Sequence, residues 1–140
     1  MTLKIENGSW QDLKKYAKPI REEVFIQEQN IAEVDEWDEL DEVSIHFIAF
    51  EDEKAVATAR LLSNNSIGRV AVLEICRGKN IGFRLMAEII QFAKENQRQF
   101  LQLSAQVYAV SFYEKLGFKI EGSDYLDCGI PHIDMKMDLN

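Results

Sequence analysis

Hydrophobic positions along the chain change their spacing repeatedly, and each change predicts a new element. Leu3 to Glu6 reads as a short first strand that Asn7-Gly8 ends. Ser9 suits the N-cap of a helix running to about Glu28, with Pro19 marking a kink or a break into two pieces. An acidic segment follows, with Trp37 and Leu40 as its large apolar anchors. Ile45 to Phe50, Ala55 to Leu62 and Ile67 to Leu73 are strand-like runs. They are separated by the turn-forming sequences Glu51-Asp52-Glu53-Lys54 and Ser63-Asn64-Asn65-Ser66. That spacing predicts an antiparallel meander.

The period then lengthens. Ile81, Leu85, Ile89, Phe92 and Ala93 fall three and four apart and predict an amphipathic helix to about Glu95. Phe100 to Ala105 is a short strand. Ala109, Phe112, Tyr113 and Leu116 share one helical face, which Gly117 ends as a C′ residue. Ile133 to Leu139 alternates strictly, as a half-buried antiparallel strand does. The run from Ile67 to Phe100 is a βαβ unit. Its right-handed crossover makes the strands near Val70 and Leu103 parallel neighbours in an otherwise antiparallel sheet. The fold class is α+β with a mixed sheet, in one domain over residues 1–140.

Charge alters this picture locally. The formal charge is −8, from 24 Asp+Glu against 16 Lys+Arg. Glu33, Asp35, Glu36, Asp38, Glu39, Asp41 and Glu42 are seven acids in one run, and the remainder is 17 acids against 16 bases. The run reads either as a solvated, mobile connection or as an acidic lip that attracts a cationic substrate. Arg69, Arg77, Lys79 and Arg84 against Glu74 form a local patch of charge +3. The chain lacks the clustered bases of a nucleic-acid partner. It also lacks an apolar run near the roughly 18 residues of a membrane span. Met1 to Glu6 does not resemble a signal peptide, and Cys76 and Cys128 have no metal-ligand or CxxC spacing. The expectation is a cytoplasmic protein with two idle or buried thiols and no metal.

Two stretches carry candidate chemistry. After Val70-Ala71-Val72, a short turn carries Arg77-Gly78-Lys79-Asn80-Ile81-Gly82 and a helix starts. A helix start exposes unpaired backbone N–H groups, with about half a positive charge behind them. Glycines let a diphosphate approach that backbone, and Arg77 and Lys79 add charge. Ordinary helix capping explains the turn equally well, and it is neither a Walker nor a dinucleotide fingerprint. One strand later comes Gln106-Val107-Tyr108-Ala109-Val110-Ser111-Phe112-Tyr113-Glu114-Lys115-Leu116-Gly117-Phe118.

Together these stretches resemble the GCN5-related N-acetyltransferase (GNAT) superfamily. Arg77 to Gly82 matches R/Q-x-x-G-x-G/A with Asn80 in place of the middle glycine. Gln106 to Phe118 matches N-x-x-A-x-x-F-Y-x-x-x-G-F with Gln106 in place of Asn. Val24-Phe25-Ile26-Gln27-Glu28-Gln29 and Gly129-Ile130-Pro131-His132 resemble the ElaA/YjcF branch, so the likeness covers almost the whole chain.

The resemblance implies a GNAT fold in which two parallel strands splay and acetyl-CoA wedges between them. Val70, Ala71 and Val72 would pair with the pantetheine arm, with the Val72 N–H on the developing oxyanion. Arg77 to Phe83 would hold the pyrophosphate, and Gln106, Ala109, Phe112 and Tyr113 would line the rest of the cofactor site. Asn80 tolerates the left-handed backbone the family's glycine adopts. Tyr113, at a reference pKa of about 10, would be the general acid to a thiolate whose thiol is near 8.5. The strand glutamate some members use as base is absent at Ser66-Ile67-Gly68. Glu28, His46, His132 and a water chain remain as alternatives. Arg60 fits an exposed sheet face or a carboxylate clamp for substrate. The implied reaction moves an acetyl group from acetyl-CoA, a cosubstrate, to the primary amine of a small molecule or peptide. A homodimer is a common family assembly. The rival readings are a non-catalytic acyl-CoA-binding regulatory module with the same fold and a nucleotide binder using the same helix start.

Overall fold

The structure is a computed structural model and describes residues 2–140; the readings of the Met1 to Glu6 start and of a 1–140 domain include Met1, which lies outside the described residues. Strands β1 (Leu3–Gly8), β2 (Ile45–Glu51), β3 (Lys54–Leu61) and β4 (Ser66–Val72) form the expected antiparallel run. β5 (Phe100–Gln106) lies parallel to β4, and β7 (Ile130–Asp138) and β6 (Lys119–Asp127) continue antiparallel. The seven-stranded sheet has the order β1-β2-β3-β4-β5-β7-β6. No helix among the described residues is long and apolar enough to cross a membrane.

Helices cover both faces, so β2 is buried along its middle without alternation. Helix α1 (Trp10–Arg21) sets Trp10, Leu13 and Ala17 against Ile48 and Phe50 on one face. Helix α3 (Ile81–Glu95) sets Leu85, Met86, Ile89 and Ala93 against Phe47, Ala59 and Leu101 on the other. Each large side chain so buried contributes roughly 1.5–3 kcal/mol. Ser9 caps α1 as expected, its hydroxyl accepting from the Asp12 N–H at 3.2 Å.

Three expectations change. The first helix is not one α-helical run to Glu28. Pro19 lies within α1, and Glu22–Glu28 winds as a π-helix, closed by Gln29 N–H to Val24 O at 3.1 Å. β6 was not foreseen: every one of its residues is exposed, so it shows no burial alternation to read. The acidic run is not a solvated, mobile connection either. It forms α2 (Glu33–Glu36) and a 3₁₀ turn (Glu39–Val43), and Glu36 and Asp41 are each 2% exposed.

The cause is three arginines below it. Arg21 donates to Glu36 Oε2 and Asp41 Oδ1, both at 2.7 Å. Arg60 bonds Asp38 at 2.7 Å and Asp41 at 2.9 Å. Arg69 lies 3.3 Å from Glu36. Arg21 also packs 4.9 Å from the Trp37 ring. Arg60 thus lies on no exposed face, and it clamps carboxylates of its own chain. Burial raises the Glu36 carboxyl despite Arg21, whereas Arg60 holds Asp38 below its usual range.

Candidate active site

The site begins with a defect in the sheet. Between β3 and β4 the register slips: Thr58 faces Ala71, but Arg60 faces Gly68. Arg69 and Val70 together therefore oppose Ala59, a β-bulge, and Arg69 adopts φ +50°. A bulge bends its strand. The parallel β4–β5 ladder holds at Ser66–Gln102 and Ile67–Leu103, and no ladder pair joins Val70, Ala71 or Val72 to β5. Where the strands part lies a cavity of about 360 Å³, lined by Val70, Gln106, Ala109, Tyr113 and His132 among others.

Tyr113 enters on α4 (Val110–Leu116), which Gly117 ends at φ +108°. Its ring stands edge-on to Phe112 at 5.0 Å and to Phe118 at 6.1 Å between centroids. Burial, and secondarily the nearby Tyr108, pushes its hydroxyl up to about 12. The side chain stays a neutral donor through the whole range in which a protein functions.

His132 is 9% exposed on β7, directly across the ladder from Gln106. Its Nδ1 lies 2.7 Å from the Ile130 carbonyl oxygen. A carbonyl only accepts, so Nδ1 carries the proton and Nε2 of the neutral ring is left with a lone pair. Tyr125 stacks on the ring at 6.3 Å. The Tyr125 hydroxyl also meets Ser104 Oγ and donates to Asp134 at 2.7 Å.

The π-helical turn supplies residues that sequence periodicity missed. Phe25 and Gln29 line the cavity, and Gln106 Nε2 donates to Gln29 Oε1 at 2.9 Å. A π turn shifts its side chains relative to α-helical spacing, so a 3.6-residue reading cannot aim them.

At the strand's end the expected turn is present. Asn80 is left-handed at φ +63°, as its substitution for glycine requires, and Gly78 takes φ +83°. No side chain caps the start of the 15-residue α3. Gly82 brings that first turn close to β4 and α4: a Cβ there would stand 3.4 Å from Val72 Cγ2 and 3.6 Å from Phe112. The flanking +3 patch is not free charge, however. Arg77 holds Glu28 with both terminal nitrogens at 2.6 and 2.7 Å and donates Nε to Val72 O at 3.0 Å. Lys79 lies 3.3 Å from Glu51, and Arg69 belongs to the buried network. Of the four bases, Arg84 alone is without an ion pair among the described residues.

Of the remaining candidates, Glu28 is turned to Arg77, whose guanidinium holds its carboxyl below the usual range, and it is not among the cavity-lining residues. His46 is 1% exposed under Trp10, with Nε2 donating to Asp41 O at 2.8 Å, and burial lowers its pKa. It is structural. Cys76 is buried and unpaired; Cys128 is exposed at the cavity mouth.

Known proteins share this sequence pattern and fold. A family model described as acetyltransferase (GNAT) domain matches residues 12–139. The uncharacterized N-acetyltransferase YjcF of Bacillus subtilis is 35% identical over 123 residues, 85% of this chain and 88% of its own length. Protein ElaA of Escherichia coli is 32% identical, over 90% of this chain and 94% of its own. The crystal structure of an acyl-CoA N-acyltransferase from Pseudomonas aeruginosa superposes with a TM-score of 0.87 at 31% identity, covering 97% of this chain and 99% of that one.

Proposed function

The chain belongs to the GNAT acetyltransferase family and is an acyltransferase; on that premise we propose that it transfers an acetyl group from acetyl-CoA to a primary amine by direct attack on the thioester. The observation that carries this reading is the parted pair β4 and β5, with a cavity of about 360 Å³ in the gap and the Tyr113 side chain on its wall.

Acetyl-CoA supplies an activated acyl group and a thiolate that can leave. The chain's part is to bind and orient it and to handle protons. Val70, Ala71 and Val72 offer strand backbone with no β5 ladder partner, which suits the amides of an extended pantetheine arm. The Val72 N–H would face the carbonyl oxygen where negative charge develops. The first turn of α3 with Gly78, Lys79, Asn80, Ile81, Gly82 and Phe83 suits the diphosphate, and Arg77 is already aimed by its bond to Val72 O. Gln106 and Ala109 complete the wall, Gln106 being fixed by Gln29, and Phe112 supports it from behind, edge-on to Tyr113 and beside Gly82.

Tyr113 donates to the departing sulfur as general acid. His132 takes the amine proton as base, because its Nε2 is left as an acceptor by the Nδ1 bond to Ile130. Glu28 is engaged by Arg77 and takes no proton in this scheme.

The test has two arms. Acetyl-CoA at roughly 1,000 times its Kd should stabilise the protein by about 4 kcal/mol, read as a rise in melting temperature. Thiol release should then depend on added amine. Stabilisation without release from any amine favours a non-catalytic acyl-CoA-binding module, and no stabilisation refutes the reading.

A further inference from the structure

The far wall of the same cavity differs from the wall that holds Tyr113. Four charged side chains line it: Asp35 and Glu36 from the acidic segment, Arg69 from the bulge, and Asp127 from the end of β6. Glu36 pairs with both Arg69 and Arg21, and Arg69 also lies 3.4 Å from Asp38. Asp35 and Asp127 take part in no ion pair among the described residues, and both are exposed. They line the same cavity from two segments far apart in sequence, and both act on the Cys128 thiol of the same wall. The thiol senses both: it is raised by burial and then by Asp127 and Asp35. Two uncompensated carboxylates thus frame the mouth. Deeper in, the lining turns to Phe25, Ile67, Val70 and Leu103, and His132 presents a ring nitrogen with no hydrogen-bond partner.

These two zones ask for opposite states of an amine. Carboxylates at the mouth stabilise an ammonium and raise its pKa, which opposes attack. The apolar interior penalises an ammonium and favours the neutral, nucleophilic form. One amino group cannot satisfy both. We propose that the acceptor is a small aliphatic diamine, one nitrogen held as ammonium between Asp35 and Asp127 and the other acetylated beside His132 and Tyr113. This rests on the acetyltransferase reading and narrows its substrate.

The step balances as follows. The inner ammonium gives one proton to His132 Nε2, and the neutral nitrogen bonds the acetyl carbon as the carbon–sulfur bond breaks and its electron pair leaves on sulfur. The new amide nitrogen sheds its remaining extra proton, the sulfur gains one to become the thiol, and His132 returns its proton to solvent.

The experiment compares putrescine, butylamine and γ-aminobutyrate, which have the same four-carbon chain but differ in the distal group. It measures thiol release with acetyl-CoA and calorimetric binding to the CoA-saturated protein. Putrescine should exceed butylamine by at least about tenfold in kcat/KM or Kd, with γ-aminobutyrate weakest. That preference should shrink with added salt. Asp35→Asn and Asp127→Asn should each cut the putrescine-to-butylamine ratio severalfold. Butylamine within threefold of putrescine, or a preference for γ-aminobutyrate, overturns the inference while stabilisation by acetyl-CoA leaves the acetyltransferase reading standing. Absence of that stabilisation fells both. The wild-type ratio decides the matter without any variant, so a poorly folding mutant cannot rescue the proposal.

Discussion

Replacing Tyr113 by Phe removes a single oxygen atom from the proposed mechanism. The ring's packing against Phe112 and Phe118 needs no hydroxyl. The hydroxyl is perturbed by burial and by Tyr108, with no hydrogen bond contributing. Deleting it therefore breaks no protein contact, and Tyr113→Phe should melt within a degree or two of wild type or slightly above it. The catalytic cost is different. A pKa of about 12 stands roughly 3.5 units above an ordinary thiol, so giving the proton completely to a free thiolate is uphill by ~4.8 kcal/mol. The hydroxyl therefore acts mainly as a hydrogen-bond donor to sulfur while the bond is breaking. Loss of one aimed donor of that kind costs about 10²–10³ in kcat.

Steady-state thiol release at saturating acetyl-CoA reads this directly. kcat should fall about a hundredfold or more, with the dissociation constant for CoA little changed. The pH profile adds a second constraint. A hydroxyl that titrates near 12 stays protonated, so wild-type activity should show no loss attributable to Tyr113 below about pH 10. A Tyr113→Phe enzyme within threefold of wild-type kcat would refute the assignment.

Three further outcomes follow from the contacts described above. Glu28→Gln removes the carboxylate competing for Arg77, so acetyl-CoA should bind severalfold more tightly at low salt. A kcat loss of about 10² or more would instead make Glu28 the base. Asp41→Ala leaves Arg21 and Arg60 buried with fewer partners and should cost about 3–5 kcal/mol in urea unfolding; a loss below about 1 kcal/mol would show the network to be dispensable. His46 is held neutral by burial, while the unfolded chain takes up a proton as pH falls below about 6.5, so the unfolded state gains protons there and stability drops. His46→Asn should flatten that part of the stability curve. Glu36, raised by burial, acts with the opposite sign at lower pH and should be unaffected by that substitution.

What the sequence disclosed and what it hid divide along a physical line. α3 was legible because Leu85, Ile89 and Ala93 repeat with the helical period over one buried face. The turn before α3 was legible because a left-handed backbone admits few residues, and Gly78 and Asn80 are among them. Periodicity reports burial on one face of a regular element, so it is silent where an element is irregular or wholly exposed. β6 has no buried face, the π turn at Glu22–Glu28 moves Phe25 and Gln29 out of α-helical phase, and the bulge carries Arg69, a residue type that does not announce φ +50°.

The acidic run was misread for a different reason. Seven carboxylates in a row look solvated when their neighbours in sequence are the only ones considered. Arg21, Arg60 and Arg69 come from α1, β3 and β4, and only the folded sheet brings them beneath Glu36, Asp38 and Asp41. That network gives the site its shape. It consumes Glu36 and the bulge arginine and fixes the segment that carries Asp35 to the cavity mouth. The same bulge that turns Arg69 into the network also breaks the β4–β5 ladder after Ile67. One irregularity in β4 thus lies where the strands part and also anchors the acidic wall of the cavity between them. Restoring regular pairing at Arg69–Val70 should close the slot and release that wall together.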